Sequence, residues 1–242
     1  SDDSSSSEEV EDFFSEDNYH ARDPLTENGK ELIVTGGDRK GAKLFRTFEM
    51  ETETKETLQF NLFDDCLVRA DEDESSPPYI AKIIAIGTGG PQKKVKDSGH
   101  HFIHVQWYYQ SRELHKAIID HFRKQDVDLD RSPKVVSLSF HHDEILPASL
   151  LRRVKVFFDR KAPKQPDADL APDQYCCSFV WDPQGNSAEN SWGLLYSIAD
   201  DNFIDTPSEF QRHIHLPSMQ EFLRKFQRES PLPDKVPTKP WP

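Results

Sequence analysis

His104-Val105-Gln106-Trp107-Tyr108-Tyr109-Gln110 is the stretch from which the fold of this 242-residue chain is read. It continues an alternating apolar run from Phe102, so it reads as the end of a β-strand. Successive strand side chains point to opposite faces, which puts Trp107 and Tyr109 on one face and Tyr108 on the other. Two large rings two residues apart at a strand end form adjacent walls of one small pocket. An ordinary core would explain an isolated triplet of this kind better, so the surrounding chain has to decide.

Upstream, Glu31-Leu32-Ile33-Val34 reads as a short strand ended by Gly36-Gly37, and residues 44–50 and 58–62 alternate with period two. Residues 66–70 and 79–86 follow as strands, the second broken by Gly87, Gly89, Gly90 and Pro91. Downstream, Ser111 opens a helical insert with Leu114, Ile118 and Phe122 spaced four apart on one face. Residues 135–140, 154–158, 175–181 and 192–198 return to strand texture. Short strands at this spacing predict a mainly β protein with a small barrel or sandwich core. Two capping boxes, Thr206-Pro207-Ser208-Glu209 and Ser218-Met219-Gln220-Glu221, then predict C-terminal helices, the second with a stripe of Met219, Phe222, Leu223 and Phe226. The expected division is an acidic, Ser-rich disordered tail (1–28), a folded domain (29–205), a helical extension (206–229) and a Pro-rich linker (230–242). Phe13, Phe14 and Tyr19 are odd members of such a tail and are candidates for docking onto the domain. With no initial Met and a Pro-rich end, the chain reads as part of a longer protein.

The net charge is −13, and eight acids with no Lys or Arg fall in the first 20 residues. An acidic body suits a basic peptide and argues against sequence-specific DNA binding, where Lys and Arg supply most of the affinity. Lys93, Lys94 and Lys96 read as a solvated loop, and Arg152, Arg153 and Lys155 as the outer face of a strand. Cys66, Cys176 and Cys177 form no C-x-x-C pair and read as buried strand residues of a reducing compartment. No apolar run approaches the roughly 20 residues needed to span a bilayer, so no membrane partner is expected. His141, His142, Asp143 and Glu144, with His100, His101 and His104, are the only cluster resembling a metal or acid–base site. Consecutive strand residues diverge, however, and no H-E-x-x-H, G-x-S-x-G, phosphate-loop or dinucleotide motif is present. The expectation is a protein that is not an enzyme, with no cofactor and no metal.

Four pieces now stand in order: Asp65-Cys66-Leu67-Val68, Pro77-Pro78-Tyr79-Ile80-Ala81-Lys82-Ile83, Val105-Gln106-Trp107-Tyr108-Tyr109 and Leu138-Ser139-Phe140-His141-His142-Asp143. Together they resemble the bromo-adjacent homology (BAH) domain of chromatin proteins, over roughly residues 58–181. The resemblance is closest to the BAH–PHD type readers of the Polycomb-type trimethyl-lysine mark on the histone H3 tail. It implies a BAH-type β-barrel core with a helical insert and C-terminal helices. It implies an aromatic cage of Tyr79, Trp107 and Tyr109 and a peptide-binding set of Ser139, His141, Asp143 and Glu144, of which His141 and Asp143 contact the peptide backbone. Asp143, Glu144 and the acidic loop 71–74 are then acidic neighbours for a basic tail. The partners implied are a methylated histone H3 tail peptide, the nucleosome and silencing-complex proteins, and the location is the nucleus. The insert after Tyr109 is longer than in the closest readers, and Glu113 enters the rim. A carboxylate there favours lower methylation states that keep an N–H. The origin-recognition branch, which reads dimethyl-lysine on histone H4, is therefore the alternative ligand reading. A BAH protein-interaction module without methyl-lysine reading is the alternative in kind.

Overall fold

The computed structural model describes residues 18–27, 29–34, 39–52, 54–70, 76–90, 101–116, 119–120, 132–158, 166–182, 194–197, 203–205 and 235–237. Their strands in chain order are β1 (Tyr19–Pro24), β2 (Thr26–Glu27), β3 (Lys30–Glu31), β4 (Lys43–Glu51), β5 (Thr57–Asn61), β6 (Asp65–Val68) and β7 (Tyr79–Thr88). There follow β8 (His101–Gln110), β9 (Val135–Ile145), β10 (Leu150–Phe158), β11 (Gln174–Asp182), β12 (Leu194–Ser197), β13 (Phe203–Asp205) and β14 (Lys235–Pro237).

Six of these close on themselves. Strand β7 pairs with β6, β6 with β10, β10 with β11, β11 with β9, β9 with β8, and β8 returns to β7. The ring is antiparallel except where β11 runs parallel to both β10 and β9. Each strand of the ring sends at least one side chain to a shared interior of Leu67, Ile80, Tyr108, Val136, Leu138, Val156 and Cys177. The mainly β expectation with a barrel core therefore holds. Strand β4 leaves the barrel through Lys43↔Thr88 and Leu44↔Gly87 and carries β1 and β5 on its two edges. That small sheet covers the outside of the barrel, burying Tyr19, Phe48, Met50 and Phe60 against Ile83, Ile103, Val105 and Leu150.

Tyr19–Pro24 pairs along β4 from Tyr19↔Met50 to Pro24↔Phe45, so this part of the expected 1–28 tail is a strand. Tyr19 docks into the core at 8% exposure, while Phe13 and Phe14 lie outside the described residues. At Gly87 the strand does not break. It continues to Thr88, and Gly87 is required because a Cβ there would come within 2.2 Å of the Phe102 ring paired against it. The helical insert begins with a single 3₁₀ turn, Ser111–Glu113, after which Leu114 is buried. Ile118, Phe122, the acidic loop 71–74 and the expected C-terminal helices lie outside the described residues. Within the stretch read as a Pro-rich linker, Lys235–Pro237 pairs antiparallel with Phe203–Asp205. Cys66, Cys176 and Cys177 are free thiols, all buried, and burial pushes the Cys66 thiol far above its usual range.

A polar knot lies under the wall that carries the site. Lys82 is fully buried, an expensive place for an ammonium unless it is paired. Its Nζ meets Asp65 Oδ1 at 2.8 Å and donates to the Phe63 carbonyl at 3.1 Å. The same carboxylate accepts the Tyr108 hydroxyl at 2.9 Å and the Val156 N–H at 3.2 Å. One aspartate thus ties β6, β7, β8 and β10 together.

Candidate functional site

Strand alternation carries over into three dimensions at the end of β8. Tyr108 points inward at 2% exposure, and Trp107 and Tyr109 point out into a groove of about 680 Å³. Tyr79, the first residue of β7, reaches the same groove and is 40% exposed. Its ring stands edge-on to Trp107, centroids 5.9 Å apart at 73°. Pairing of β7 with β8 through Ala81↔Trp107 explains the proximity. The third ring, Tyr109, is backed edge-on by Trp181 of β11 at 4.5 Å.

The opposite bank of the groove comes from β9. Register between β8 and β9 slips between Gln106 and Tyr108, because Gln106 faces His142 while Tyr108 faces Leu138. A bulge of this kind re-aims side chains, and here it turns His141 and Asp143 toward the rings of β8. Trp107 donates its indole N–H to Asp143 Oδ2 at 2.8 Å. His141 Nε2 meets the same oxygen at 3.1 Å, and His141 Nδ1 lies 2.6 Å from the Tyr109 hydroxyl. A continuous chain of contacts therefore runs Trp107–Asp143–His141–Tyr109.

Ser139 and Glu144 take other places. Ser139 is fully buried, its Oγ accepting the His141 N–H at 3.0 Å and its carbonyl accepting Gln106 Nε2 at 2.7 Å. It shapes the bulge and is not among the residues that line the groove. Glu144 lines the groove, but its carboxylate is held by Arg39 at 2.6 Å (Nη2) and 3.0 Å (Nε). Arg39 is buried against the Phe102 ring and neutralises that acid. Nothing in the local sequence connects residues 105 positions apart, and this pair was missed.

Two other acids in the groove form no ion pair with a Lys or Arg among the described residues. Asp143 is one. The other is Glu113, at the third position of the 3₁₀ turn, whose Oε2 accepts the Gln110 N–H at 2.7 Å. Burial holds the Glu113 carboxyl above its ordinary range, more than that hydrogen bond and Arg112 lower it. Burial also pushes the Tyr109 hydroxyl up to about 12, with Glu113, Asp143 and Tyr79 adding to the shift. Val68, Ile145 and Leu146 add aliphatic lining, with Arg69 and Ser149 also on the groove wall.

Chemically this is a partly apolar, ring-walled groove with negative charge at one end. An Asp–His–Tyr chain has the look of a proton relay, but a hydroxyl raised to about 12 keeps its proton and is a poor nucleophile or base near neutrality. The adjacent imidazoles diverge: His142 Nδ1 faces His104 Nε2 at 3.2 Å, away from His141 and its partners. Among the described residues no three His, Cys, Asp or Glu side chains are arranged to hold a metal ion. No helix among them is long and apolar enough to cross a membrane. Arg152, Arg153 and Lys155 are exposed on β10, in keeping with an outer strand face.

Comparison with known proteins bears on the whole arrangement. A sequence model of the BAH domain matches residues 56–189. Among solved structures, the chain is similar to the crystal structure of the yeast Rsc2 BAH domain, at 16% identity and a TM-score of 0.36. That similarity covers 57% of this chain and 51% of the other, so the chain spans about half the length of the structure it matches. No curated protein matches the chain.

Proposed function

This chain belongs to the BAH-domain family of chromatin-associated modules, and on that premise we propose that it reads methylated lysine on a histone tail. The mark proposed is the Polycomb-type trimethyl-lysine of histone H3, read in the nucleus for gene silencing, with Tyr79, Trp107 and Tyr109 as the cage. One observation carries the reading. Tyr79 and Trp107 stand nearly perpendicular, solvent-accessible, in a groove that Tyr109 also lines. Tyr79 is 40% exposed, while Trp107 is partly buried, packed on one side against the core that includes Ile83 and Val105 and open to the groove on the other.

A trimethylammonium keeps its charge, donates no hydrogen bond and is poorly hydrated. Ring faces attract it at about 0.5–2 kcal/mol each. Three rings give about 1.5–6 kcal/mol, so the roughly 8 kcal/mol of a micromolar complex also needs contacts along the flanking peptide. Partners on this reading are the methylated tail, the nucleosome that bears it and proteins of a silencing complex, with no catalytic step.

Glu113 favours a second ligand. Its half-buried carboxylate pairs with the N–H of a dimethylammonium better than with a quaternary nitrogen, which supports dimethyl-lysine of the histone H4 type. One titration separates the readings: unmodified, mono-, di- and trimethylated H3 and H4 tail peptides against the purified protein. Tightest binding of trimethylated H3 is the expected result. A dimethyl H4 optimum selects the second ligand. Equal weak binding across all methylation states makes the chain a protein-interaction module and ends the cage reading.

A further inference from the structure

We propose that Asp143 and His141 are positioning residues, a hydrogen-bonded clasp that fixes Trp107 and Tyr109 relative to each other before ligand arrives. The proposal rests on the cage reading for its functional meaning, although the clasp itself is a property of the free protein. Trp107 and Tyr109 both belong to β8, but on the groove side of the barrel their rings are held from β9. Asp143 Oδ2 takes the indole N–H at 2.8 Å and His141 Nε2 at 3.1 Å, and His141 Nδ1 lies 2.6 Å from the Tyr109 hydroxyl. His141 in turn is set by the Ser139 hydroxyl on its backbone N–H at 3.0 Å. All four rotors of the chain are thereby restrained at once, which removes ordering cost from ligand binding.

The donor count fixes the proton inventory. For Nε2 to approach a carboxylate it must carry a hydrogen, and a neutral imidazole then leaves Nδ1 bare to accept from Tyr109. Every donor in the chain then finds one acceptor. Asp143 and Tyr109 touch this imidazole directly. Glu113, Tyr79, Arg69 and the Glu144–Arg39 pair complete the charged and titratable surroundings of the groove.

The experiment reads the clasp in two ways. In the free protein, the Trp107 indole N–H resonance is followed by NMR in wild type, Asp143→Ala and Asp143→Asn. Expected in Asp143→Ala is a shifted signal in faster exchange with water; an unmoved signal overturns the clasp. Binding of a trimethyl-lysine H3 peptide is then titrated for Asp143→Ala, His141→Ala and the double variant. Asp143→Ala should lose roughly tenfold, with the double variant scarcely worse, because both changes cut one network. Fully additive losses overturn it. In His141→Gln the amide keeps one acceptor and one donor and should retain most of the binding; a loss as large as in His141→Ala overturns the clasp. Peptide binding absent from wild type, with the indole shift present, refutes the methyl-lysine reading and leaves the clasp standing.

Discussion

Tyr108 donates its hydroxyl to Asp65 at 2.9 Å, on the face of β8 opposite the groove. Its neighbours Trp107 and Tyr109 are aimed outward because this ring is anchored inward. Asp65 is also the counter-charge of fully buried Lys82. Asp65→Ala leaves a buried ammonium without its counter-charge and takes an acceptor from the Tyr108 hydroxyl and the Val156 N–H, and is expected to cost about 3–5 kcal/mol by urea denaturation. Adding Lys82→Met should restore much of that, since the charge is gone. A single-variant loss below about 1 kcal/mol would contradict the account.

Trp107→Ala removes a proposed cage wall that is only partly buried. It should abolish measurable methyl-peptide binding by calorimetry while the far-ultraviolet circular dichroism stays native. Trp107→Phe keeps a ring face but no donor for Asp143, and should fall between the two. Wild-type affinity in the Ala variant would mean the onium site lies elsewhere.

Local period-two patterning made β7, β8 and the split of Trp107 and Tyr109 from Tyr108 legible. It could not show that β11 runs parallel to both β9 and β10, because the closing of the barrel joins residues far apart in sequence. Gly87 reads as a strand breaker only until Phe102 is seen lying where its side chain would be. Charge-rich composition similarly concealed β1, whose order comes from pairing with β4 and from one buried ring, Tyr19. At the site, the aromatic residues were readable from strand geometry and family resemblance together. Hydrogen-bond partners were not. The bulge that turns His141 and Asp143 onto the rings, the burial of Ser139 and the claim of Arg39 on Glu144 all depend on register and long-range contact.

Glu113 has a raised carboxyl pKa whose main cause is burial. A carboxyl raised in the folded state stabilises fully below its unfolded pKa, and that contribution is lost as pH rises through the folded pKa. Ionised Glu113 is therefore a stability cost at neutral pH. Glu113→Gln should raise the melting temperature slightly at pH 7, by a fraction of a kcal/mol because the group keeps solvent contact that screens it, and the gain should vanish in acid. The same variant should lose roughly tenfold in affinity for a dimethyl-lysine peptide and less for a trimethylated one. An equal loss for both would remove Glu113 from any role in methyl-state choice.

Gly87→Ala tests the close approach of β7 and β8. The new methyl would lie 2.2 Å from Phe102 Cζ, and that ring is 1% exposed with nowhere to retreat. A loss of about 1–3 kcal/mol by denaturant unfolding is expected, with Phe102→Leu in the same chain recovering part of it. Neutral behaviour would show that the ring swings aside cheaply.

Trp181 touches the candidate cage only from behind, edge-on to Tyr109 at 4.5 Å, and does not line the groove. If Tyr109 is a cage wall, its placement depends on this backing as much as on His141. Trp181→Leu keeps an apolar side chain on β11 but gives up the ring-on-ring contact, worth about 0.5–1.5 kcal/mol beyond area burial. Methyl-peptide affinity should then fall about three- to tenfold with no contact to the ligand removed. The Tyr109 hydroxyl, raised to about 12 chiefly by burial, should also titrate lower as water reaches the ring. Ultraviolet difference titration of wild type and variant, each compared with its Tyr109→Phe derivative, isolates that one group. A reduced affinity with no change in the Tyr109 titration would mean that Trp181 supports the barrel in general and not this ring.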